Sequence, residues 1–584
     1  MAPEEPAGLI ELRILDGPNL YFTRPAIKLT LSAKEWLEAP DERVLEAAIR
    51  LGLRGAARAA GWAETDGPAS GSARPGPAGS EGRLRFVIRV AAHLTRLLAR
   101  AAQAHVAVRT RAGPEPEQVI VAFPWRRRSA SEAFAREVAR LFEEILQQPA
   151  NADSLLAEAG IRLGHAEPGS GPTVPTPKVP VIAVTGTNGK TTTVRLLTHI
   201  IRKAGKKVAY SSTDGVYVNG DQVEKGDYSG FGGAGTALSQ PGVEAAVLET
   251  ARGGILLRGI GTTHNDVAVV TNVSSDHLGL HGIHSLDQLA EVKSTILRIT
   301  KTDGWDVLNA DDPRVLAMRR VARGRPFLFS RDPDHPALRA ALAENGRALT
   351  VIDGALSLLE PGHDPRGLLP LEDVPVTLAG ISGNNIQNAM AAGAAALGIG
   401  LPEEAVVEGL RTFLLDPETN PGRANLFELD GKVVVVDYAH NEAGMEGLVE
   451  ICRGLRREDG EVWLSYSTAG DRTDKVIHGL GYIAARGAEH PVVCELLHYL
   501  RGRDRKDLIR RLIAGAEDAG ATDVPVFPDE IRALEWMLAS SKPNDVVAVT
   551  ALGQRSEIFQ LMKERGATRV GPERCRELVL EARS

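Results

Sequence analysis

Beyond residue 180, the hydrophobic positions follow a repeated order of short apolar strand, polar loop and amphipathic helix. The pattern predicts strands at residues 181–184, 207–211, 245–248, 267–271 and 305–308, and helices at residues 191–204, 286–300 and 385–397. Val-rich strands that alternate with helices indicate a parallel sheet covered on both faces. Ligands of such sheets bind at the carboxyl ends of the strands.

Two further regions flank this repeat. The first predicts strands at residues 9–15, 26–31 and 119–123, with helices at residues 42–51, 83–101 and 131–146. The second is an α/β unit with strands from residue 432 and at residues 461–466, 491–494 and 546–550. The chain is therefore expected to contain an α+β region followed by two α/β regions.

Stretches rich in Gly and Pro separate these regions. Residues 66–82 read as a flexible loop, residues 165–180 as an extended, proline-spaced linker, and DPETNP at 416–421 interrupts a helical pattern. We therefore predict an N-terminal domain at 1–164, a linker at 165–180, a central domain at 181–418 and a C-terminal domain at 419–584.

Composition narrows the function classes. A chain of 584 residues with a net charge of −7 and no block of like charges is not expected to bind nucleic acid. Three cysteines without a C-x-x-C pair argue against a disulfide framework or a zinc site. Without a long apolar segment or a basic leader, the chain is expected to be cytoplasmic, with no membrane partner.

The segment VIAVTGTNGKTTTVRLL at 181–197 carries the clearest chemistry. A strand leads into a glycine turn, and a helix begins near Lys190 and Thr191. The turn amides and the helix dipole favour an anion, Lys190 adds a charge for the outer phosphates, and the Thr191 hydroxyl suits Mg²⁺. Val184 replaces the first glycine of the usual phosphate loop. An incidental glycine turn is the alternative, but the flanking strand and helix favour nucleotide binding.

Polar side chains also follow two other predicted strands. Glu249 closes the strand at 245–248, where a carboxylate either coordinates Mg²⁺ or lies on a surface turn. Asn272, Asp276 and His277 follow the strand at 267–271, and His277 is either a metal ligand or an ordinary hydrogen-bonded residue.

For the candidate residues later in the chain, residue type alone also leaves more than one interpretation. Lys293 lies on a helix with an apolar face, where spacing favours a solvated lysine. VLNADDP, which contains Asn309, is compatible with a base or ribose contact or with an Asx turn. Asn384 or Asn385 suits the N-cap of an Ala-rich helix. Arg423 suits a phosphate clamp or a solvated surface. Asp437, His440, Asp471 and Arg472 also follow apolar strands.

Taken in order, these motifs resemble the Mur ligase family of ADP-forming amide ligases, which includes the folylpolyglutamate synthases. GTNGKT, the strand-end Glu249, TN…DH, the helix lysine, NADD, G-x-N-x-x-N, PGR and DYAH span residues 181 to about 472. Within the family, SSDHLGLHGI, LAEVKSTI and NPGRANLFEL are similar to the ligase half of the cyanophycin synthetases. The N-terminal DGPNLYFTRPAIKL also resembles those enzymes, which carry an ATP-grasp domain where this chain has its linker.

The resemblance implies a fold and a set of site residues. The expected fold is α/β, with a Mur-ligase-like central phosphate-loop domain built on a parallel sheet, a C-terminal Rossmann-like domain and a small α+β N-terminal domain. The triphosphate would bind Gly186, Thr187, Asn188, Gly189, Lys190, Thr191 and Thr192. Thr191 and Glu249 would hold one Mg²⁺, His277 a second, and Lys293 would be a carbamylated, anionic metal ligand. Asn309 and Asn385 would contact adenosine, and Arg423 and Asp437 would close over the nucleotide.

The implied reaction is ATP-dependent ligation. ATP phosphorylates an acceptor carboxylate, ADP leaves, and a neutral amine attacks the acyl phosphate, with His440 or Asp437 assisting deprotonation. The implied substrates are arginine and a side-chain carboxylate of an aspartate-containing peptide or polymer. Without an ATP-grasp segment in this chain, only the side-chain ligation is expected here.

Three alternatives stay open. The chain could be a Mur-type ligase for another peptide or poly-acid acceptor, with another amino acid as donor. It could be a non-catalytic ATP-binding partner of a separate ATP-grasp protein, although the intact Lys190, Glu249, His277 and Lys293 set disfavours this. An unrelated phosphate-loop kinase or GTPase lacks an N-K-x-D-like signal and leaves DYAH unexplained. Homo-oligomer formation is left open by the sequence.

Overall fold

The computed structural model describes residues 6–53, 74–276 and 278–584. Its N-terminal region is a four-stranded antiparallel sheet with helices on one face. The strand order is β1-β2-β4-β3. Its elements are β1 Leu9–Leu15, β2 Ala26–Ser32, α1 Lys34–Glu38, α2 Asp41–Arg50, α3 Glu81–Ala101, β3 Arg109–Ala112, β4 Gln118–Pro124, α4 Arg128–Gln147 and α5 Ala152–Gly164. Strand β4 alternates: Val119, Val121 and Phe123 pack under the helices, while Ile120 and Ala122 pack against the central region.

The central region is built on an eleven-stranded sheet. Seven neighbouring strands are parallel, in the order β13-β12-β11-β10-β5-β9-β6, and an antiparallel pair extends each edge. Its strands are β5 Val181–Thr185, β6 Val208–Ser212, β7 Gly215–Val218, β8 Asp221–Lys225, β9 Ala245–Glu249, β10 Asn265–Val270, β11 Thr300–Asn309, β12 Arg325–Phe329, β13 Arg347–Ile352, β14 Ala355–Leu359 and β15 Arg366–Pro370.

Helices cover both faces of this sheet, as the Val-rich strands require. They are α6 Lys190–Lys203, α7 Phe231–Leu238, α8 Arg252–Leu257, α9 Leu286–Lys293, α10 Pro313–Ala317, α11 Pro336–Ala343, α12 Gly383–Gly398 and α13 Glu403–Thr412. One face packs against α6, α12 and α13. The other packs against α9, α10, α11 and the N-terminal sheet, so the N-terminal region shares a continuous apolar core with the central one.

The C-terminal region contains a seven-stranded sheet in the order β20-β19-β18-β21-β17-β16-β22. Strands β17 to β21 are mutually parallel, and β16 and β22 add antiparallel at one edge. Its elements are β16 Asn425–Leu429, β17 Lys432–Asp437, α14 Glu442–Leu455, β18 Val462–Tyr466, α15 Asp474–Gly487, β19 His490–Cys494, α16 Arg505–Asp518, β20 Val526–Phe527, α17 Glu530–Ser540, β21 Val546–Thr550, α18 Arg555–Glu564, β22 Thr568–Arg569 and α19 Pro572–Arg583.

Two predicted segments need correction. The helix expected at 286–300 ends at Lys293, continues as a 3₁₀ segment, Ser294–Ile299, and passes into β11 at Thr300. The Ser294 hydroxyl donates to Glu291 O at 2.7 Å, which competes with the regular helical ladder and favours the tighter turn. Within the loop predicted at 66–82, residues 66–73 lie outside the described residues, and Glu81 already begins α3 because the Ser80 side chain caps that helix.

The segment at 165–180 contains no helix or strand, as predicted for a linker. It is nevertheless attached to both neighbouring regions: Arg128 N donates to Ser170 O at 2.8 Å and Thr263 N donates to Pro175 O at 3.2 Å. No helix in the part of the chain that the structure describes has the length and hydropathy needed to cross a bilayer.

Candidate active site

Two glycines in the turn between β5 and α6 pack directly against side chains of neighbouring elements. Gly189 has φ +83°, and a Cβ there would lie 2.1 Å from Asn388 Oδ1. A Cβ at Gly186 would lie 1.9 Å from the Thr271 hydroxyl. Only glycine fits such close approaches, so neighbouring elements fix the path of the turn. The turn therefore presents its backbone to the space in front of α6, as the sequence motif predicts.

That space is a cavity of about 420 Å³ between the central and C-terminal regions. Of the residues predicted for the site, those that line it are Gly186, Thr187, Asn188, Gly189, Lys190, Thr191, Thr192, Glu249, Lys293, Arg423 and His440. The strand order explains the convergence, because β9 and β10 flank β5 in parallel and end at the same edge of the sheet.

Glu249 is buried, with 1% of its surface exposed, so the surface-turn interpretation is wrong. Its Oε2 accepts the Thr191 hydroxyl at 2.9 Å, whereas its buried Oε1 has no hydrogen-bond partner. Burial raises the pKa of this carboxyl above its usual value, and the nearby Lys190 opposes that rise. A buried carboxylate oxygen without a partner is costly unless a ligand satisfies it.

Lys293 is also buried, with 4% of its surface exposed, which corrects the solvated-lysine interpretation that spacing favoured. Its Nζ donates to Gly186 O at 2.5 Å, which ties α9 to the glycine turn. Burial and the charge of Lys190 lower the pKa of Lys293 well below its usual value. Burial therefore favours the neutral amine at this position.

The C-terminal region faces the cavity through Arg423 and the segment after β17. The Arg423 guanidinium lies 4.3 Å above the Tyr438 ring centroid. Burial lowers the pKa of Arg423. Asp437 accepts the Ala424 amide at 2.8 Å and does not line the cavity. Burial raises the pKa of Asp437, although Arg423 counteracts it. Asp437 therefore positions the loop that carries Arg423.

His440 lines the cavity with its ring oriented by the backbone. Its Nδ1 lies 2.9 Å from Tyr438 O, and its Nε2 lies 3.8 Å from Asp276 Oδ2. Asp276 also pairs with Arg472 at 2.9 Å, so charged groups of both regions meet here. His277 lies outside the described residues.

The two residues expected to contact adenosine do not line this cavity. Asn309 is 2% exposed; its amide donates to Thr271 O at 2.8 Å, and its oxygen accepts the Asp311 amide at 3.0 Å. Asn385 accepts from Asn388 Nδ2 at 3.0 Å. Neither Asn384 nor Asn385 is the N-cap of α12, because the helix already begins at Gly383. The Gly383 amide donates to Glu450 Oε2 of the C-terminal region at 3.1 Å, which satisfies this helix end instead.

Sequence reasoning missed several residues that line the cavity, among them Arg252, Tyr438 and Arg501. Arg252 follows Glu249 by three positions, and Tyr438 directly follows Asp437, so both carried a strand-end signal. Arg501 lies in the loop after β19, where it pairs with Asp471 at 2.5 Å. The same strand-end rule, applied to residues 491–494, would have included it.

Within residues 6–53, 74–276 and 278–584, no three His, Cys, Asp or Glu side chains converge as a metal site. Thr191, Glu249 and Lys293 are instead grouped beside the glycine turn. This donor set suits an ion that takes few ligands from the protein and the remainder from phosphate and water, as Mg²⁺ does.

Comparisons with known proteins identify two family domains. The Mur ligase middle domain matches residues 184–396, and the Mur ligase, glutamate ligase domain matches residues 422–553. A cyanophycin synthetase from Crocosphaera subtropica is 40% identical over 373 residues, which is 64% of this chain and 42% of that protein. A UDP-N-acetylmuramyl-tripeptide synthetase from Deinococcus radiodurans is 28% identical over 420 residues, 69% of this chain and 77% of that protein.

A solved structure of E. coli FolC with ADP has 19% identity and a TM-score of 0.49, and covers 67% of this chain and 91% of that one. The chain spans less than half the length of the cyanophycin synthetase it matches. Together the two domain matches cover the sheets that form the cavity, in the order that the motifs predict. The chain therefore belongs to the Mur ligase family, whose middle and glutamate ligase domains together match more than half of its residues, and it has the corresponding α/β fold.

Proposed function

We propose that this chain uses ATP to join an amine to a carboxylate, through an acyl phosphate and with release of ADP. The observation that carries the proposal is the grouping of Lys190, Glu249 and Lys293 around one glycine turn, with a buried Glu249 oxygen that lacks a partner. A structural role alone leaves that oxygen unexplained. A cation bound beside a triphosphate satisfies it.

The residues present fit a triphosphate and Mg²⁺. The turn residues line the cavity where α6 begins, which suits a phosphate chain lying against the backbone amides at the helix N-terminus. Thr191 and Glu249 would hold one Mg²⁺. When bound there, the ion would neutralise charge on the transferring phosphoryl group.

Lys293 suits a second ligand role. A neutral, buried amine can add to CO₂, losing a proton and forming an anionic carbamate, whereas a protonated one cannot. The lowered pKa of Lys293 therefore supports the carbamylated state. With His277, it would provide the protein's donors to a second ion.

The remaining groups support transfer and attack. Lys190 and Arg423 neutralise the charge that builds up as an acceptor carboxylate oxygen attacks the γ-phosphorus and ADP leaves. The amine then attacks the acyl carbon and phosphate departs. If Nδ1–H of His440 donates to Tyr438 O, Nε2 carries the lone pair and can accept the amine proton. Of the two candidate bases, His440 is favoured because Asp437 does not line the cavity.

For substrates, we propose arginine as the amine and a side-chain carboxylate of an aspartate-containing peptide or polymer as the acceptor. The support is the 40% identity to a cyanophycin synthetase over 64% of this chain. Mass spectrometry after incubation with ATP, Mg²⁺, arginine and short aspartate oligomers should show oligomers that have gained one condensed arginine. Gain with another amino acid, and none with arginine, would instead indicate a Mur-type ligase for a different donor.

The phosphate-loop role is tested by Lys190→Ala. We expect acceptor-dependent ADP release to fall about 10³-fold, because a charge that stabilises the transferring group is lost. Lys203→Ala is the matched control, since Lys203 lies on the same helix with 37% of its side chain exposed. Equal activity of the Lys190 variant and the wild type would refute the proposal. ATP binding without any turnover by the wild type would favour a non-catalytic partner of an ATP-grasp protein.

A further inference from the structure

Asp214 lies in the turn between β6 and β7, next to Thr213, which lines the cavity at the glycine turn. Its side chain is 21% exposed and accepts hydrogen bonds from two arginines. Arg195 of α6 donates to Oδ2 at 2.6 Å, and Arg555, the first residue of α18, donates to Oδ1 at 3.1 Å. One carboxylate therefore joins the central region to the C-terminal region.

Arg195 connects Asp214 to the start of the segment that leads to Arg423. The Arg195 side chain is 5% exposed, and its Nη1 donates to Asn420 Oδ1 at 3.1 Å. Asn420 is completely buried, and its carbonyl oxygen accepts from Asn425 Nδ2 at 3.1 Å. A helix of the central region therefore fixes the path of the chain three residues before Arg423.

Arg555 holds the next two residues of that segment. Its Nη1 donates to Pro421 O at 3.4 Å. Gly422 has φ +68°, and a Cβ there would lie 2.7 Å from Arg555 Cδ, so the stem of this arginine packs directly against the glycine. The two arginines that share Asp214 therefore lie against each residue from 420 to 422.

The side chain of Arg423 depends on this backbone for its direction. Its Nε is buried and has no hydrogen-bond partner in the part of the chain that the structure describes. Its guanidinium lies over the Tyr438 ring. A ring contact fixes a guanidinium less tightly than a bidentate carboxylate pair does, so the segment before Arg423 has to direct the side chain into the cavity.

Asp214 keeps its charge in this position. Burial acts to raise the pKa of Asp214, but the charges of Arg195 and Arg555 outweigh burial, and the pKa lies below its usual value. The ionised carboxylate can therefore hold both arginines at once.

We propose that Asp214 is a positioning residue for the nucleotide site. By holding the two arginines together, it directs Arg423 towards the phosphate chain. The inference rests on the proposed function, because it assumes that Arg423 contacts the triphosphate. Asp214 itself does not line the cavity, so its effect reaches the nucleotide only through Arg423. An ion pair that merely stabilises the boundary between the two regions would act independently of Arg423.

Titration of the full chain with AMP-PNP and Mg²⁺ tests this inference without turnover. Arg555→Met removes one charge of the bridge at a side chain that is 31% exposed. The Kd should rise about three- to fivefold, against about tenfold for Arg423→Ala. In the Arg423→Ala background, Arg555→Met should change the Kd less than about 1.5-fold, because the residue that it helps to position is gone. Arg555→Lys should restore part of the affinity by keeping a charge beside Asp214.

Arg565→Met is the matched control and should bind AMP-PNP as the wild type does. Arg565 directly follows α18, is 51% exposed, pairs with Glu535 at 3.7 Å and does not line the cavity. An unchanged Kd in Arg555→Met, or an equal rise with and without Arg423, would overturn the inference in favour of a purely structural ion pair. Wild-type binding with this dependence on Arg423, but without ADP release, would refute the proposed reaction and retain the positioning role.

Asp214→Asn provides a second readout. It should lower kcat for acceptor-dependent ADP release about tenfold, and Asp214→Glu should recover much of that loss. The melting temperature should also fall in Asp214→Asn, because buried Arg195 loses its charged partner. Adding Arg555→Met to Asp214→Asn should weaken AMP-PNP binding by no more than about 1.5-fold, since both changes break one bridge. Losses that multiply in the double variant would contradict the shared role.

Discussion

Two turns of this protein share one local pattern and differ in use. The β5–α6 turn and the β21–α18 turn each follow a buried parallel strand, contain glycine and lead into a helix. In the central region the turn lines the cavity of about 420 Å³. In the C-terminal region, the amides of Leu552, Gly553 and Gln554 donate to the Glu530 carboxylate at 2.6, 3.1 and 2.7 Å.

Glu530 is completely buried and begins α17, so the protein itself supplies the anion for the second turn. At the first turn the nearby carboxylate, Glu249, contacts the Thr191 hydroxyl and keeps one oxygen without a partner. A strand, glycine turn and helix therefore create an anion-binding arrangement, and neighbouring elements decide whether it is filled from within. Such a motif therefore predicts a ligand site only where no internal carboxylate occupies it.

The sharpest test exchanges each carboxylate for an amide. Glu249→Gln should reduce ligase activity about 10³-fold by removing a metal ligand, and should stabilise the fold by about 1 kcal/mol because a buried ionisable group is removed. Glu530→Gln should cost about 2 kcal/mol of stability, because an amide group cannot accept from all three N–H donors, and should leave the KM for ATP unchanged. Thermal unfolding measures the change in stability, and ADP release measures the change in activity. If the two variants changed stability and activity alike, the distinction between the turns would be removed.

A weaker test adds one methyl group to each turn. Gly189→Ala should lower activity about 10²-fold, because a Cβ at φ +83° displaces Asn388 and with it the turn. Gly553→Ala should remain within about twofold of wild type, since its Cβ would lie 3.4 Å from Leu496 Cδ2. Steady-state kinetics with varied ATP measure the effect. A comparable loss in the Gly553 variant would show that both turns support catalysis.

The smallest expected effect is in the pH dependence of stability. Burial raises the pKa values of Glu249 and Glu530 in the folded protein above the ordinary value of 4.5. Near these pKa values the folded state therefore keeps protons that the unfolded state has already released. The stabilisation that results from protonating the two carboxyls is complete below pH 4.5. It is lost as the pH rises through their folded-state pKa values.

Each amide variant should make that decline smaller, because a titrating buried carboxyl is removed. Melting temperatures measured from pH 4.5 upwards, with the exposed Glu564→Gln variant as control, would show it. A control that flattens the profile as much as Glu249→Gln would contradict the assignment to the buried carboxyls.

Much of the fold could be predicted because hydrophobic periodicity is local. The strand predicted at 181–184 is β5 Val181–Thr185, and the strand at 546–550 is β21 Val546–Thr550. Helix ends were less predictable. Ser294 changes the ladder after Lys293 through one side-chain bond, and the start of α12 depends on Glu450, which is distant in sequence.

The candidate site divides in the same way. The glycine turn, Lys190 and Thr191 could be predicted, because strand, turn and helix are adjacent in the chain. The burial of Glu249 and Lys293 beside that turn, and of Asn309 in the core, became known only from the folded structure. Burial and pKa depend on which strands and helices become neighbours. Long-range packing decides which elements become neighbours, and the spacing of residues along the chain does not reveal it.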